Sequence, residues 1–249
     1  LILPRDIICL LRLIIDSLPI SIRNSRFLFN LSKILFKIPD ELYHFRENYK
    51  NGLIEDLSIY YLKDTKKSLR RVSKTTDINS YHLSLIGNLL KNSQSVNVLD
   101  VGCGTGFLLN HIDKYFFTSK LVGIDFNAPS NESIKCNSRK NQIQFINGDI
   151  KSSLLNFSDD FFEIVLCTHV LEHLSNPEEI LFQLRRVVKD KLIIICPLEK
   201  EYKWGMNYHI NFFPTKKHFI KFLQSNSNDY FRFKLFQRLG DAMYFESYR

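Results

Sequence analysis

The chain has 249 residues, of which 45% are hydrophobic and 24% are charged. These values are typical of a soluble globular protein and argue against a disordered one, and the length suffices for one sizeable core with a small additional unit. The five cysteines are scattered, without C-x-x-C pairs, at positions Cys9, Cys103, Cys136, Cys167 and Cys196. This spacing argues against a disulfide framework or a cysteine-rich metal site, and it favours a reducing, cytoplasmic location.

The positive charge is concentrated in the first part of the chain. The formal net charge is +8; residues 1–95 hold 15 Lys and Arg against 9 Asp and Glu, and residues 96–249 hold 19 against 17. The densest basic segment is 63–74. Such a segment either attracts phosphates of nucleic acid or lipid or forms a solvated helix face. It lacks the interleaved aromatic residues that base stacking would favour.

The first twenty residues are strongly apolar but do not predict a transmembrane helix. Charges and prolines interrupt them at Pro4, Arg5, Asp6, Arg12, Asp16 and Pro19, whereas a span needs about 20 predominantly apolar residues. The segment lacks the basic start and small-residue cleavage site of a signal peptide. We expect a helix packed on its own domain, with peripheral contact to a membrane surface as the alternative.

The chain divides into a helical first part and an alternating second part. Residues 1–80 carry helical patterns and predict a helical N-terminal extension or lid, and residues 81–249 predict one α/β domain. Helices are predicted at 81–91, 107–115, 131–140 and 177–188, and strands at 96–101, 121–125, 143–147, 161–167 and 191–196. These strands are short, apolar and rich in Val and Ile, as in parallel strands covered on both faces. The alternation predicts a doubly wound sheet that binds ligands at the carboxyl ends of its strands.

The most informative motif is the glycine-rich loop that follows the first of these strands. Residues 98–106 read VLDVGCGTG, so the strand ends in Asp100 and glycine follows at Gly102, Gly104 and Gly106. Glycines let the backbone turn sharply and approach a ligand closely, and the next helix directs free N–H groups at the loop. A dinucleotide-binding G-x-G-x-x-G would need its third glycine at Phe107, and no Gly-Lys-Ser/Thr of a P-loop follows.

The pattern D-x-G-x-G-x-G after an apolar strand resembles the first motif of the class I S-adenosylmethionine-dependent methyltransferases. Three further elements agree in order: the strand that ends in Asp125, the strand followed by Asn147-Gly148-Asp149-Ile150, and the segment 161–174, FFEIVLCTHVLEHL. A carboxylate at position 125 can accept hydrogen bonds from both hydroxyls of a ribose. The resemblance implies S-adenosylmethionine as cofactor, with these binding residues: Asp100, Gly102, Cys103, Gly104, Gly106, Asp125, Phe126, Asp149, Ile150 and Thr168.

The resemblance also refines the expected fold. It implies a Rossmann-like, seven-stranded sheet preceded by the helical extension. The aromatic runs at 230–238 and 243–248 would form an antiparallel C-terminal hairpin at the sheet edge.

Three residues after the fourth strand are the best candidates for catalysis: His169, Glu172 and His173. On a helix these positions would share a face. His169 lies nearest the strand end and is the first choice for a general base or substrate contact. The alternative for His173 is an architectural role in which it bridges nearby backbone groups.

The same positions resemble a metal-binding group in other methyltransferases. Ubiquinone-type O-methyltransferases and small-RNA 3′-end methyltransferases carry Glu-x-x-Glu-His and a distant histidine, and some of them hold a divalent metal with this set. Here the pattern reads His169-x-x-Glu172-His173, with His209 as the distant residue. The first Glu is replaced by His, which removes an oxygen ligand that Mg²⁺ prefers. Metal binding is therefore left open.

The segment 199–213 is rich in aromatic and polar residues. Loops at this edge select the acceptor in the family, so the resemblance implies substrate contacts for Trp204, Tyr208 and His209, with plain packing as the alternative.

The sequence thus predicts a methyltransferase that acts on a small molecule, with a hydroxyl as the expected acceptor. An RNA or tRNA methyltransferase is the first alternative, because of the basic first part of the chain. A non-catalytic scaffold that binds S-adenosylmethionine is the second.

Overall fold

The computed structural model describes residues 11, 14–36, 41–54, 57, 59–60, 78, 80–91, 96–116, 118–129, 143–201, 203, 207–224, 233–239 and 242–248. Three predictions lie outside these residues: the basic segment 63–74, the helix at 131–140 and the substrate contact at Trp204.

A seven-stranded sheet forms the centre of the fold. Its strands are β1 (Val96–Val101), β2 (Thr118–Asp125), β3 (Ile143–Asn147), β4 (Phe162–Thr168), β5 (Val188–Pro197), β6 (Phe233–Leu239) and β7 (Ala242–Tyr248), in the spatial order β3-β2-β1-β4-β5-β7-β6. The pairs among β1 to β5 are parallel. Strand β7 runs antiparallel to both β5 and β6, which confirms the α/β prediction and the C-terminal hairpin.

Helices connect the strands and flank them. They are α1 (Ile20–Arg23), α2 (Arg26–Phe36), α3 (Glu41–Lys50), α4 (Ser80–Leu90), α5 (Phe107–Tyr115), α6 (Ile150–Leu154), α7 (Pro177–Val187) and α8 (Lys216–Gln224). Pro177 occupies the first turn of α7, where its missing N–H has no intrahelical partner to lose. The short helix α6 was not predicted; the Asp149 side chain caps it by accepting from the Ser152 N–H.

Each face of the sheet has its own apolar core because side chains alternate along the strands. Leu99 and Val101 lie in the core that includes residues of α7 and α8, and Val98 lies in the core that includes residues of α4 and α5. Asp100 shares the alternation of Val98, and its side chain is 1% exposed. The alternation therefore places a buried carboxyl group at the carboxyl end of the central strand.

The described part of the N-terminal extension is helical and has a small core that includes a residue of the second part. Phe29, Leu42 and Phe45 are buried together with Tyr208. The rings of Phe45 and Tyr208 meet edge to face, with centroids 4.9 Å apart. Among the described residues, no helix is long and apolar enough to cross a bilayer.

Candidate active site

The glycine-rich loop is a tight cradle between β1 and α5. Gly102, Gly104 and Gly106 all have positive φ, between 52° and 75°. A Cβ on Gly106 would lie 2.6 Å from Phe145 Cζ, whereas a Cβ on Gly104 would meet no atom within 4 Å. The loop is therefore packed against protein at Gly106 and open at Gly104, where a ligand can approach the backbone.

The carboxylate of Asp125 organises the loop from the end of β2. Its Oδ2 accepts from the Gly104 N–H at 2.9 Å and its Oδ1 from the Asn127 N–H at 2.8 Å. The carbonyl of Ile124 accepts from the N–H groups of Gly102 and Cys103. The predicted ribose carboxylate is thus at the expected strand end and lies against the predicted cradle.

Asp100 is a second carboxyl group beneath the loop. Burial and the negative charge of Asp125 raise the pKa of Asp100 to about 8. Its Oδ1 has no hydrogen-bond partner among the described residues. A buried carboxyl group with an unsatisfied oxygen, next to an open loop, fits a cationic ligand such as the predicted sulfonium cofactor.

The other predicted cofactor residues differ in their burial. Phe126 is half-buried, while Cys103, Ile150 and Thr168 are buried. Burial also raises the pKa of the Cys103 thiol, so the group remains protonated and acts as a small apolar residue. The Asp149 carboxylate uses Oδ1 to cap α6, where it accepts from the Ser152 N–H and hydroxyl at 2.9 Å each.

The three catalytic candidates lie directly after β4 but do not share one regular helix. Leu171–His173 forms a 3-10 helix, and His169 precedes it with φ 56°. The helical arrangement in which these positions would share a face is therefore not the one that the chain adopts. The left-handed backbone of His169, fixed by its N–H bond to the Ile195 carbonyl at 2.8 Å, is a strained conformation of the kind found at functional sites.

Glu172 is the buried acid of this group. Its side chain is 0% exposed and lies 3.5 Å from His169 Nδ1 and 4.0 Å from His173 Nε2, measured from Oε1. Burial favours the neutral carboxyl group, but the interaction with His169 and the charges of His173 and His209 prevail and lower the pKa of Glu172. Burial, followed by the charge of His209, lowers the pKa of His173 to about 4, so this imidazole is neutral near pH 7.

His209 lies next to this group and belongs to a polar network that sequence reasoning missed. Its ring meets the ring of His173 edge to face, with centroids 4.7 Å apart. Its Nδ1 lies 2.5 Å from Glu199 Oε2. Asn207 bonds Glu199, and Arg46 bonds Asn207. The sequence signal for this network is the Glu-x₇-Asn-x-His spacing of Glu199, Asn207 and His209. Nothing in the sequence links these residues to Arg46.

The other predicted substrate residue, Tyr208, points away from the histidines into the N-terminal core. The ring is 6% exposed and packs against Phe45 and Tyr60. Its carbonyl lies 3.4 Å from His173 Nδ1. Tyr208 therefore packs its ring in the N-terminal core and contacts His173 through its backbone carbonyl.

Three of these residues could hold a metal ion. Glu172, His173 and His209 each offer a ligand atom, and these atoms lie within 4.8 Å of one another. The Glu172 carboxylate, which also interacts with His169 and with the Cys196 thiol, would supply the oxygen ligand. One carboxylate and two imidazoles suit Zn²⁺, Mn²⁺ or Fe²⁺ better than Mg²⁺.

Comparisons with known proteins find methyltransferases among the similar sequences. Residues 99–196 match the family described as "Methyltransferase domain". The mitochondrial ubiquinone biosynthesis O-methyltransferase of Dictyostelium discoideum is 31% identical over 123 residues, which cover 45% of this chain and 35% of that protein. The ubiquinone biosynthesis O-methyltransferase of Rickettsia typhi is 25% identical over 143 residues, covering 52% and 54%.

A solved structure shows the same fold. The CurJ carbon methyltransferase superposes with a TM-score of 0.54 at 14% identity, covering 88% of this chain and 63% of that one. The chain spans only about a third to a half of the length of the two curated relatives. The family match agrees with the predicted methyltransferase class.

Proposed function

We propose that this chain, which contains a class I S-adenosylmethionine-dependent methyltransferase domain, methylates a hydroxyl oxygen of a small-molecule acceptor. The observation that carries the proposal is the buried Glu172 with its imidazole neighbours, at the end of the strand next to the glycine cradle. A hydroxyl acceptor must lose a proton, and such a group can receive it. The ubiquinone biosynthesis O-methyltransferases among the relatives support oxygen as the acceptor atom.

The cradle holds the cofactor through complementary groups. We assign the backbone at Gly104 to close contact with it, Asp125 to its ribose hydroxyls, and Asp100 to its positive charge. When bound, S-adenosylmethionine supplies a methyl group already activated on a sulfonium. The main work of the residues is therefore positioning, which can supply about 7–11 kcal/mol of the barrier.

His169 is the proposed base. When the acceptor oxygen takes the methyl group and the methyl–sulfur bond breaks, leaving a neutral thioether, the imidazole of His169 would accept the hydroxyl proton, and Glu172 at 3.5 Å would stabilise the resulting imidazolium. His173 is less suited to this role, because a pKa of about 4 makes it a weak base. Positioned bases of this kind contribute typically about 10²–10⁴ in rate.

A labelled-methyl transfer assay against fractionated cell extract tests the proposal. We expect transfer to a small-molecule fraction and a loss of about 10²–10⁴ in rate for His169→Gln with unchanged cofactor affinity. Calorimetry with S-adenosylmethionine tests the cradle separately, and Asp125→Ala should bind it weakly. Cofactor binding without transfer to any fraction would favour the scaffold alternative.

The RNA or tRNA alternative is tested with the same label. Transfer to the RNA fraction, together with RNA binding that falls steeply with salt, would support that alternative. Absent or salt-insensitive binding would remove it. The basic segment 63–74 that suggested it lies outside the described residues.

Peripheral membrane contact, which the first twenty residues suggest, is a further part of the proposal. Residues 1–10, 12 and 13 of that segment lie outside the described ones, and the outer face of α2 supports the contact instead. Phe27 and Ile34 are 78% and 76% exposed and, with Leu31, form one helical stripe. Residues 17–39 contain four Lys and Arg and no Asp or Glu. An apolar stripe in a basic segment is typical of helices that lie on anionic lipid.

A further inference from the structure

The strongest unassigned feature is a buried polar network that joins the N-terminal extension to His209. Arg46 on α3 and Glu199 after β5 are 3% and 2% exposed. Arg46 Nη2 donates to Asn207 Oδ1 at 2.9 Å and lies 3.9 Å from Glu199 Oε1. Because burying a charge is costly unless it is paired, the guanidinium and the carboxylate stabilise each other here.

The bonds of Asn207 fix the orientation of its side-chain amide. Its Oδ1 accepts from Arg46 and from the His209 backbone N–H at 3.2 Å. Its Nδ2 therefore faces Glu199 and donates to Oε1 at 2.9 Å. A reversed amide would place its NH₂ group against the Arg46 donor, so Oδ1 is the atom that faces Arg46.

The carboxylate of Glu199 then determines the tautomer of His209. An ionised carboxylate only accepts hydrogen bonds, and His209 Nδ1 lies 2.5 Å from Oε2. His209 Nδ1 also lies 3.0 Å from the amide nitrogen Nδ2 of Asn207. Because the contact with the Glu199 carboxylate is shorter, at 2.5 Å, we take it to determine the tautomer: Nδ1 carries the proton, and the lone pair of the ring lies on Nε2. The Arg46 side chain is itself held, with its guanidinium carbon 4.3 Å from the centre of the Phe212 ring.

We propose that Arg46 and Glu199 are positioning residues that hold His209 as the Nδ1–H tautomer, with its Nε2 lone pair available to the acceptor side of the site. The consequence for methyl transfer rests on the proposed function, whereas the tautomer does not. The proposal makes α3 part of the active site: an arginine 161 residues before Asn207 in the sequence completes the environment of a site histidine. The N-terminal extension thus does more than cover the domain.

Two-bond ¹H–¹⁵N correlation spectra of ¹⁵N-histidine protein at pH 8 test the tautomer directly. We expect a protonated Nδ1 and an unprotonated Nε2 for His209 in the wild type. Glu199→Gln replaces the carboxylate by an amide, which brings an NH₂ donor to a place where Asn207 and His209 both donate. Arg46→Met removes the positive charge that compensates the Glu199 carboxylate. Both variants should shift His209 towards the Nε2–H form that a free imidazole favours. Arg46→Lys keeps the charge and should shift it less.

A matched control separates positioning from general stability. Arg186→Met makes the same substitution in an arginine that bonds the Phe157 and Leu154 carbonyls away from this site. It should lower the melting temperature and leave the His209 tautomer unchanged. The affinity for S-adenosylmethionine, measured by calorimetry, should change less than about twofold in Arg46→Met and Arg46→Lys, and this binding verifies that each variant is folded. The rate of labelled-methyl transfer should fall about 10–100-fold in Glu199→Gln.

Each result decides the proposal. A proton on Nε2 of His209 in the wild type would overturn it, as would an unchanged tautomer in either Glu199→Gln or Arg46→Met. If Arg46→Met does not fold, the tautomer in Glu199→Gln decides the proposal by itself. Absence of methyl transfer in the wild type would contradict the proposed function while leaving the tautomer result intact.

Discussion

Binding of S-adenosylmethionine should release a proton from Asp100. The carboxyl group is buried beneath the glycine loop, and burial together with the charge of Asp125 raises its pKa to about 8. The group is therefore mostly neutral at pH 7 in the free protein. The cofactor brings a sulfonium and an ammonium group to the site, and positive charge favours the ionised carboxylate. Binding should lower the pKa of Asp100 and expel its proton.

The size of the effect follows from the pKa. A group with a pKa of about 8 is roughly 90% protonated at pH 7, and a fall to about 6 on binding would release roughly 0.8 proton. Calorimetric titration in buffers of different ionisation enthalpy measures this number, because the observed heat varies linearly with the protons exchanged. The release should decline above pH 8, where the free protein is already ionised.

Two variants make this measurement specific. Asp100→Asn removes the titrating group and should bind with no proton release at pH 7. Asp190→Asn makes the same substitution at an exposed position in β5 and should match the wild type. Tight binding to the wild type without proton release, or equal release in Asp100→Asn, would refute the assignment of Asp100 to the cofactor's charge.

Four further predictions test the loop, the histidines, the metal and the membrane surface. Gly104→Ala should lower the free energy of unfolding by about 1–2 kcal/mol, because alanine is strained at a positive φ, and it should weaken cofactor binding. Gly106→Ala adds a 2.6 Å clash with Phe145, so its loss of unfolding free energy, measured by urea denaturation, should be larger. The pKa of His173 is about 4 in the folded protein and 6.5 in the unfolded chain, so the unfolded chain binds the proton more readily and the protein loses stability as the pH falls from 6.5 to 4. At most about 3 kcal/mol of the free energy of unfolding should be lost over that range. His173→Gln, which lacks the titrating group, should not show this loss. Metal analysis should find a divalent ion in the wild type and none in Glu172→Ala, with exposed Glu178→Ala as the control; equal content in all three would exclude the site. The wild type should sediment with vesicles that contain anionic lipid, and the double variant Phe27→Ser/Ile34→Ser should stay in the supernatant. The control Phe182→Ser, which removes an exposed Phe of α7, should still bind the vesicles. A concentration-dependent dimer that forms through the stripe would contradict the membrane assignment.

The backbone of the predicted cofactor loop could be anticipated from the sequence because its signals are local. The strand 96–101, the glycine loop and the helix that begins at Phe107 are contiguous, and the structure has both element boundaries as predicted. Asp125 could be placed for the same reason, because parallel strands bring their carboxyl ends to one edge. Strand β2 begins at Thr118, three residues earlier than predicted, since polar Ser119 and Lys120 near its start hide the pattern.

The acceptor half could be predicted only in part because its contacts are distant in sequence. The sequence indicates the histidines at 169, 173 and 209 as candidates, but it gives no sign that the chain turns through a left-handed residue at His169. Sequence reasoning had no means to find Arg46, because its partner lies 161 residues away. Periodicity and motifs report neighbours along the chain, whereas this network depends on how the extension packs against the sheet.

This division between local and distant contacts bears on how the two halves of the site can vary. The cradle depends on backbone shape, positive φ and two carboxyl groups, which are the requirements of one fixed ligand. The acceptor side depends on side chains from β4, the segment after β5 and α3, held together by the Arg46–Glu199 pair and the packing of Phe45 on Tyr208. Changes in the N-terminal extension can therefore alter the environment of His209 while leaving the cofactor loop unchanged. A methyltransferase built in this way can change its acceptor without losing its methyl donor.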